Sequence, residues 1–310
     1  MRLPDFLVIG APRSGTTMLH YSLAQHPEIF VSPNKETNFF LFDSGGAPPS
    51  ASDERHFKIL EYHSTKTLDE YAALFARATD KHRAVGEASP GYLLFPEVAL
   101  RVKARLPEAK LVAILRQPVE QAFSFYLLRS RGRVPDDRLS DAFVADLKAG
   151  ASWPGGQRGG LPIAEYGLYH RHLSSFFEHF ARSQIKVTLL DDLKQDGTAF
   201  FADLFRFLDV DDSFRPDLSH RYNETGTPRS AAVHRLLSGS HHLKRWLREM
   251  LPPSAFNRLG RLQHRVRNVN LRPGPRLAPE LRRQLTEELY AEDIVSLEKL
   301  LGRDLSRWRR

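Results

Sequence analysis

Residues Asp5–Thr17 read DFLVIGAPRSGTT, and this run decides the fold. Its first half, Asp5–Gly10, is a near-continuous apolar stretch, the pattern of a strand buried on both faces. Its second half, Gly10–Thr17 (GAPRSGTT), is a glycine-containing turn, and Met18, Leu19, Ser22 and Leu23 continue it at helical spacing. A strand, a turn and a helix start leave the N–H groups of the turn and of the first helical turn without helix partners. Such groups converge on an anion.

Working outward, three more apolar runs read as strands: Arg83–Gly86, Lys110–Leu115 and Gln184–Leu190. Between them lie amphipathic repeats, Leu68, Tyr71, Leu74, Phe75 and Ala78, then Tyr166, Tyr169, Leu173, Phe176 and Phe180. Strand–helix alternation of this kind predicts an α/β fold, a central parallel sheet flanked by helices. Trp153–Pro162 (WPGGQRGGLP) reads as a loop between two helices, and Asp211–Arg229 as a second, polar loop. Beyond it only helices are expected, ending in the periodic run LTEELYAEDIVSLEKLLGRDLSRW. The reading is one domain over 1–310, with a nucleotide-binding α/β core at 5–230 and a helical, basic part at 231–310.

Composition bounds the function. The chain has 310 residues, 41% hydrophobic and 26% charged, as a folded globular chain does. It has no cysteine, which removes disulfides, thiolate metal sites and cysteine nucleophiles. No apolar run is long enough to span a bilayer, and the apolar stretch at the N-terminus is too short for a signal-peptide core, so a cytoplasmic chain is expected. The net charge of +8 favours anionic partners. From His241 to Gln284 there are eleven Lys or Arg against two acidic residues. That segment reads either as a solvated helical surface or as a platform for an anionic acceptor, a nucleotide or a membrane surface. Within it Trp246, Leu247, Met250 and Leu251 make an apolar face of the kind that usually packs in a core. No DNA- or RNA-binding motif accompanies the charge, so no nucleic-acid partner is expected.

The spacing of Gly10, Gly15, Thr16 and Thr17 equals that of a Walker A loop, but Thr16 stands where a nucleoside triphosphatase needs lysine. The positive charge is Arg13, inside the loop, where a guanidinium binds phosphate in bidentate fashion. The hydroxyls of Ser14, Thr16 and Thr17 add donors. Such a loop fits a 5′-phosphate whose substituent carries less charge than a triphosphate tail.

A second motif follows the strand Lys110–Leu115. It ends in Arg116, Pro118 opens a helix, and Ser124 lies eight residues after Arg116. Arg116 stands at the carboxyl end of a parallel strand, the edge where such sheets bind ligands. An arginine and a hydroxyl suit a second phosphate monoester. A Walker B strand would end here in an acidic residue for Mg²⁺.

Together these residues resemble the PAPS-dependent sulfotransferases (PAPS is 3′-phosphoadenosine 5′-phosphosulfate). GAPRSGTT resembles that family's 5′-phosphosulfate loop, and ILRQPVEQAFSFY (Ile114–Tyr126) its 3′-phosphate motif. HPEIFVSPNKETNFF (His26–Phe40) is similar to the segment after the first helix in heparan sulfate N- and 3-O-sulfotransferases and their bacterial relatives. GEASPGYL (Gly86–Leu93), RYNETGTPRS (Arg221–Ser230) and LLGRDLSRW (Leu300–Trp308) add matches. The likeness is discontinuous but reaches across most of residues 5–308. One departure is Arg13, where many members carry lysine.

The resemblance implies a P-loop-type sheet and sulfuryl transfer from PAPS to a hydroxyl or amine without a metal, the acceptor being a glycan, a glycolipid or a small metabolite. It implies that Arg13, Ser14, Gly15, Thr16 and Thr17 hold the 5′-phosphosulfate, Arg116 and Ser124 the 3′-phosphate, and Tyr222 and Arg229 the nucleotide from a late loop. Glu36 is the candidate base, matching the proposed base of the heparan sulfate enzymes; the alternative is a surface carboxylate paired with Lys35. Lys35 itself is a candidate for the bridging oxygen or the sulfonate. Glu87, at a strand end, is the reserve base, while His20 and His26 read as helix-surface or capping residues. The rival functions are a P-loop kinase or NTPase and a non-catalytic PAP-binding module (PAP is the desulfated product, 3′-phosphoadenosine 5′-phosphate).

Overall fold

In a computed structural model, residues 2–42, 61, 64–130, 134–156, 161–219, 226–228 and 271–310 are described. Five parallel strands form the centre: β1 (Phe6–Gly10), β2 (Ile29–Val31), β3 (Ala84–Ala88), β4 (Lys110–Leu115) and β5 (Ile185–Leu189). Their order is β2-β3-β1-β4-β5. Phe6 lies opposite Gly86 on one side and Lys110 on the other. β1 is therefore the middle strand, and its carboxyl end is flanked by the ends of β3 and β4. This is the reversal point at which open α/β sheets bind ligands.

The continuous apolar runs arise because each strand feeds two cores. Leu7, Ile9, Val85, Leu111, Ala113 and Leu115 face one, and Phe6, Val8, Ala84, Val112 and Ile114 the other. The first core is closed by α4 (Pro96–Arg105), α5 (Pro118–Ser130), α7 (Tyr169–His179) and α10 (Pro279–Leu301), through Val98, Phe123, Leu173 and Ile294. The second is closed by α1 (Thr16–Leu23) and α9 (Gly197–Phe207), through Leu19, Leu23, Phe201 and Leu204. Short helices α2 (Phe39–Phe42), α3 (Leu68–Ala73), α6 (Leu139–Lys148) and α8 (Leu190–Gln195) fill the connections. The result is a three-layer α/β/α sandwich. Truncating a strand residue such as Ile114→Ala costs about 2–5 kcal/mol. Gly86 has no alternative, because a Cβ there would lie 2.4 Å from the Phe6 ring.

Several expectations need correction. The strand predicted at Arg83–Gly86 runs on to Ala88, which carries Glu87 into the sheet edge. β2 has no counterpart among the predicted strands; it is a three-residue edge strand, too short to show a pattern. The region after Asp211 is not purely loop and helix. β6 (Gly226–Pro228) pairs antiparallel with β7 (Leu271–Pro273). Each of these strands contains proline, which hides them from pattern reading. The Leu68–Ala78 repeat is helical only to Ala73, and the Tyr166–Phe180 repeat is split between a 3₁₀ turn, Ile163–Gly167, and α7. α10 starts at Pro279 and stops at Leu301 because Gly302 takes the left-handed conformation, φ 63°. Its Leu285, Tyr290, Ile294 and Leu297 join the first core. Among the described residues no helix is long and apolar enough to cross a membrane. Residues 229–270, with Arg229 and the face Trp246, Leu247, Met250 and Leu251, lie outside the described residues, as does Tyr222.

Candidate active site

The phosphate-type loop leaves the middle strand. Its start is fastened to β4, Ala11 N–H donating to the Ile114 carbonyl at 2.8 Å. Its end is Gly15, which caps α1 at φ 102°; a Cβ there would also lie 3.0 Å from the Leu190 side chain. Arg13 has φ 64°, a left-handed conformation that costs a non-glycine residue about 1–2 kcal/mol. The Arg13 Nε donates to Ser124 Oγ at 3.2 Å. The two motifs therefore meet, and both lie at the carboxyl edge of the sheet.

Further contacts lock them together. Gln121, fully buried on α5, donates from Nε2 to the Pro12 carbonyl at 2.9 Å. Thr16 is buried, Thr17 half-buried and Ser14 fully buried. The Tyr169 hydroxyl sits near Ser14 and the Arg116 backbone, yet among the described residues neither it nor Ser14 Oγ makes a hydrogen bond of ordinary geometry. Burial pushes the Tyr169 phenol up, so it stays neutral. Arg116 is part-buried, and its Nε and Nη2 donate to Glu120 Oε2 at 3.2 and 3.1 Å.

The loop after β2 lies along the end of β3, with Glu36 N–H donating to the Ala88 carbonyl at 2.8 Å. Glu36 and Asn38 have φ of 63° and 51°. Lys35 Nζ donates to Glu36 Oε1 at 2.5 Å, and the Glu36 side chain is 56% exposed. The structure thus contains the pairing that the sequence left as the alternative, on a carboxylate that is open to an incoming molecule.

Glu87 is fully buried. Ser89 Oγ donates to its Oε2 at 2.7 Å and the Tyr71 hydroxyl lies 3.4 Å from its Oε1. Thr37 Oγ1 approaches Ser89 Oγ and the Tyr92 hydroxyl at 3.4 and 3.2 Å, and Asn38 N–H donates to Ser89 Oγ. Burial pushes the Glu87 carboxyl up to about 7, while these hydroxyls pull the other way. Its position is that of a buried anchor for the Glu36 loop.

His20 is a correction. It is 5% exposed rather than on the helix surface, and its buried Nδ1 has no hydrogen-bond partner among the described residues. Burial, then the charge of Lys35, push the imidazole down to about 4, while Glu36 pulls it up. His20 is therefore a neutral ring within electrostatic reach of Lys35 and Glu36. His26 is buried too and caps no helix: its Nδ1 accepts from Glu28 N–H at 3.1 Å in the turn before β2, and its Nε2 lies 2.9 Å from the Asp211 carbonyl.

Residues 4–135 match the Sulfotransferase family. That segment is similar to the sulfotransferases. The chain is 34% identical over 124 residues to the membrane-associated sulfotransferase kil1 of Dictyostelium discoideum, covering 40% of this chain and 22% of that protein. It is 26% identical over 217 residues to a bifunctional heparan sulfate N-deacetylase/N-sulfotransferase 1 of Caenorhabditis briggsae, covering 67% and 23%. The chain thus spans about a quarter or less of the length of these relatives. A crystal structure of a sulfotransferase from Alicyclobacillus acidocaldarius matches over 100% of both chains, with TM-score 0.67 and 27% identity.

Within the sulfotransferase-like segment, sequence reasoning missed the clamp Gln121 and the brace Gln117. Gln117 is buried, and its Nε2 donates to Thr286 Oγ1 at 2.6 Å and to the Trp308 carbonyl at 3.2 Å. Both stand inside the quoted Ile114–Tyr126 motif, Gln117 just before α5 and Gln121 on its first turn. The available signal was two amide side chains four residues apart at a helix start within an otherwise apolar run. Tyr169 was seen only as a core position.

Proposed function

We propose that the chain is a PAPS-dependent sulfotransferase that moves a sulfuryl group to a hydroxyl or amine of a glycan, glycolipid or small-metabolite acceptor. The observation that carries this reading is the Arg13–Ser124 hydrogen bond, which joins the 5′-loop to the second phosphate motif. The likeness of residues 4–135 to the sulfotransferase family supports it.

The transfer is in line. An acceptor oxygen or nitrogen attacks sulfur, the bond from sulfur to the 5′-phosphate oxygen breaks, and PAP leaves. Positioning and charge stabilisation supply most of the acceleration. Arg13, the first-turn amides of α1 and the hydroxyls of Thr16 and Thr17 take up the charge that builds on the leaving phosphate. Arg116 and Ser124 hold the 3′-phosphate. Glu36 receives the acceptor proton, which requires Lys35 to release it; the freed Lys35 ammonium then faces the transferring group. Tyr222 and Arg229 contact the nucleotide from the late loop in this reading.

The test incubates the protein with PAPS and a panel of sugar, lipid and small hydroxyl or amine acceptors, and follows PAP release together with the sulfated product. Product formation that is lost in Glu36→Gln fits the reading. PAP binding with no product from any acceptor, and no effect of Glu36→Gln, would leave a nucleotide-binding module. Mg²⁺-dependent ATP turnover would make it a P-loop kinase or NTPase.

A further inference from the structure

The C-terminal helix reaches the second phosphate motif through an unbroken ring of polar contacts. Glu120 accepts from Arg116 with Oε2, and its other oxygen, Oε1, lies 3.7 Å from Nη1 of Arg282 on α10. The Arg282 carbonyl accepts from Thr286 Oγ1 at 2.7 Å. Thr286 Oγ1 accepts from Gln117 Nε2, and Gln117 Oε1 accepts from the Glu120 N–H at 2.8 Å. The ring closes back on Glu120. The other Arg282 terminal nitrogen donates to the carbonyl of Arg310, the last residue, at 2.5 Å.

Charge gives the ring its consequence. Arg116 alone is an anion-binding group, but Glu120 cancels it at contact distance. A 3′-phosphate carrying close to two negative charges would meet a neutral pair and a nearby carboxylate. Arg282 brings a second guanidinium to the Glu120 carboxylate, its other end being held by the Arg310 backbone oxygen. All three side chains are part-buried, 22%, 35% and 26% exposed, so solvent screens them only partly. Geometry agrees with charge. Glu120 occupies the Nε and one Nη2 proton of Arg116. Of the five N–H donors of a guanidinium, the Nη1/Nη2 fork therefore remains for bidentate contact with phosphate.

The geometry points to Arg282 as a positioning residue for the 3′-phosphate: acting through Glu120, it fixes the Arg116 guanidinium in the orientation that lets this site tell a 3′-phosphorylated nucleotide from its 3′-hydroxyl analogue. This rests on the reading of Arg116 as the 3′-phosphate arginine.

The experiment measures PAP and 5′-AMP affinity by calorimetry for wild type, Arg282→Ala, Arg282→Lys, Arg116→Ala and the double variant Arg116→Ala/Arg282→Ala. Wild type binds PAP more tightly than 5′-AMP. Arg282→Ala loses about tenfold in PAP affinity, the size of coupling expected between contacting charges. Its 5′-AMP affinity is unchanged, Arg282→Lys keeps most of the PAP preference, and the double variant is no weaker for PAP than Arg116→Ala alone. An unchanged PAP-to-AMP ratio in Arg282→Ala overturns the inference, and so does an equal loss for both nucleotides, which marks a general structural role. A wild type that does not prefer PAP over 5′-AMP overturns the underlying reading of Arg116 instead. If Arg282→Ala does not fold, Arg282→Gln takes its place with the same expected outcomes.

Discussion

Arg13 Nε donates to Ser124 Oγ at 3.2 Å, so the turn after the first strand and the helix after the fourth share a hydrogen bond although they lie far apart in sequence. The bond sits at the carboxyl ends of two neighbouring parallel strands. Removing Ser124 as alanine deletes one partner at a part-buried place, for about 0.5–1.5 kcal/mol of stability. The larger effect expected is on binding: Ser124→Ala weakens PAP about tenfold and leaves 5′-AMP within about twofold, read by calorimetric titration. Equal weakening of both nucleotides contradicts the assignment of Ser124 to the 3′-phosphate.

Glu36→Gln separates proton transfer from binding. The amide keeps the size of the side chain but accepts no proton, so turnover falls about 10²- to 10⁴-fold while PAP affinity stays within about twofold. Steady-state rates with the best acceptor, set beside a PAP titration, check this. Wild-type turnover in Glu36→Gln moves the base elsewhere.

Gly15→Ala tests the loop geometry. The left-handed φ of 102° and the Leu190 side chain 3.0 Å from the added Cβ both oppose the change. The variant loses about 1–2 kcal/mol of stability through backbone strain and binds PAP more weakly. A melting temperature equal to wild type, with unchanged PAP affinity, would show that the loop does not need this conformation.

Glu87 and His20 give opposing pH dependences. The Glu87 carboxyl rises from 4.5 to about 7 on folding, so its contribution is full below pH 4.5 and is lost as pH rises through 7. The His20 imidazole falls from 6.5 to about 4, so its contribution is full above pH 6.5 and is lost as pH falls toward 4. Each is worth about 3 kcal/mol at most, and between pH 4.5 and 6.5 they offset one another. Melting curves across that window should show Glu87→Gln more stable toward higher pH, because only the His20 slope remains. With His20→Gln the wild-type balance tips the other way, toward lower pH. Parallel profiles in the two variants contradict the placement of both groups.

The decisive parts of the fold were legible because their physics is local. Buried parallel strands read as apolar runs, and the loops at their ends, GAPRSGTT and the Arg116–Ser124 stretch, carry the glycine, arginine and hydroxyl positions in order. β2 and the β6–β7 pair escaped because three residues, some of them proline, hold no period. The burial of His20 escaped for another reason. On its own helix it is an ordinary polar residue; only the fold buries it and brings the charges of Lys35 and Glu36 to bear on it. The Glu87 network and the Arg282–Glu120–Arg116 chain likewise join segments whose meeting no local pattern records. The contributions of Tyr222 and Arg229 rest on the resemblance of their loop.

The most direct test of two phosphate motifs serving one nucleotide is thermal unfolding of the wild type with PAP, with 5′-AMP and with ATP plus Mg²⁺, each at equal concentration. A ligand present at a hundred times its dissociation constant adds about 2.7 kcal/mol to stability. The account predicts a clear upward shift with PAP and a small one with the other two. A shift with ATP and Mg²⁺ and none with PAP would contradict it.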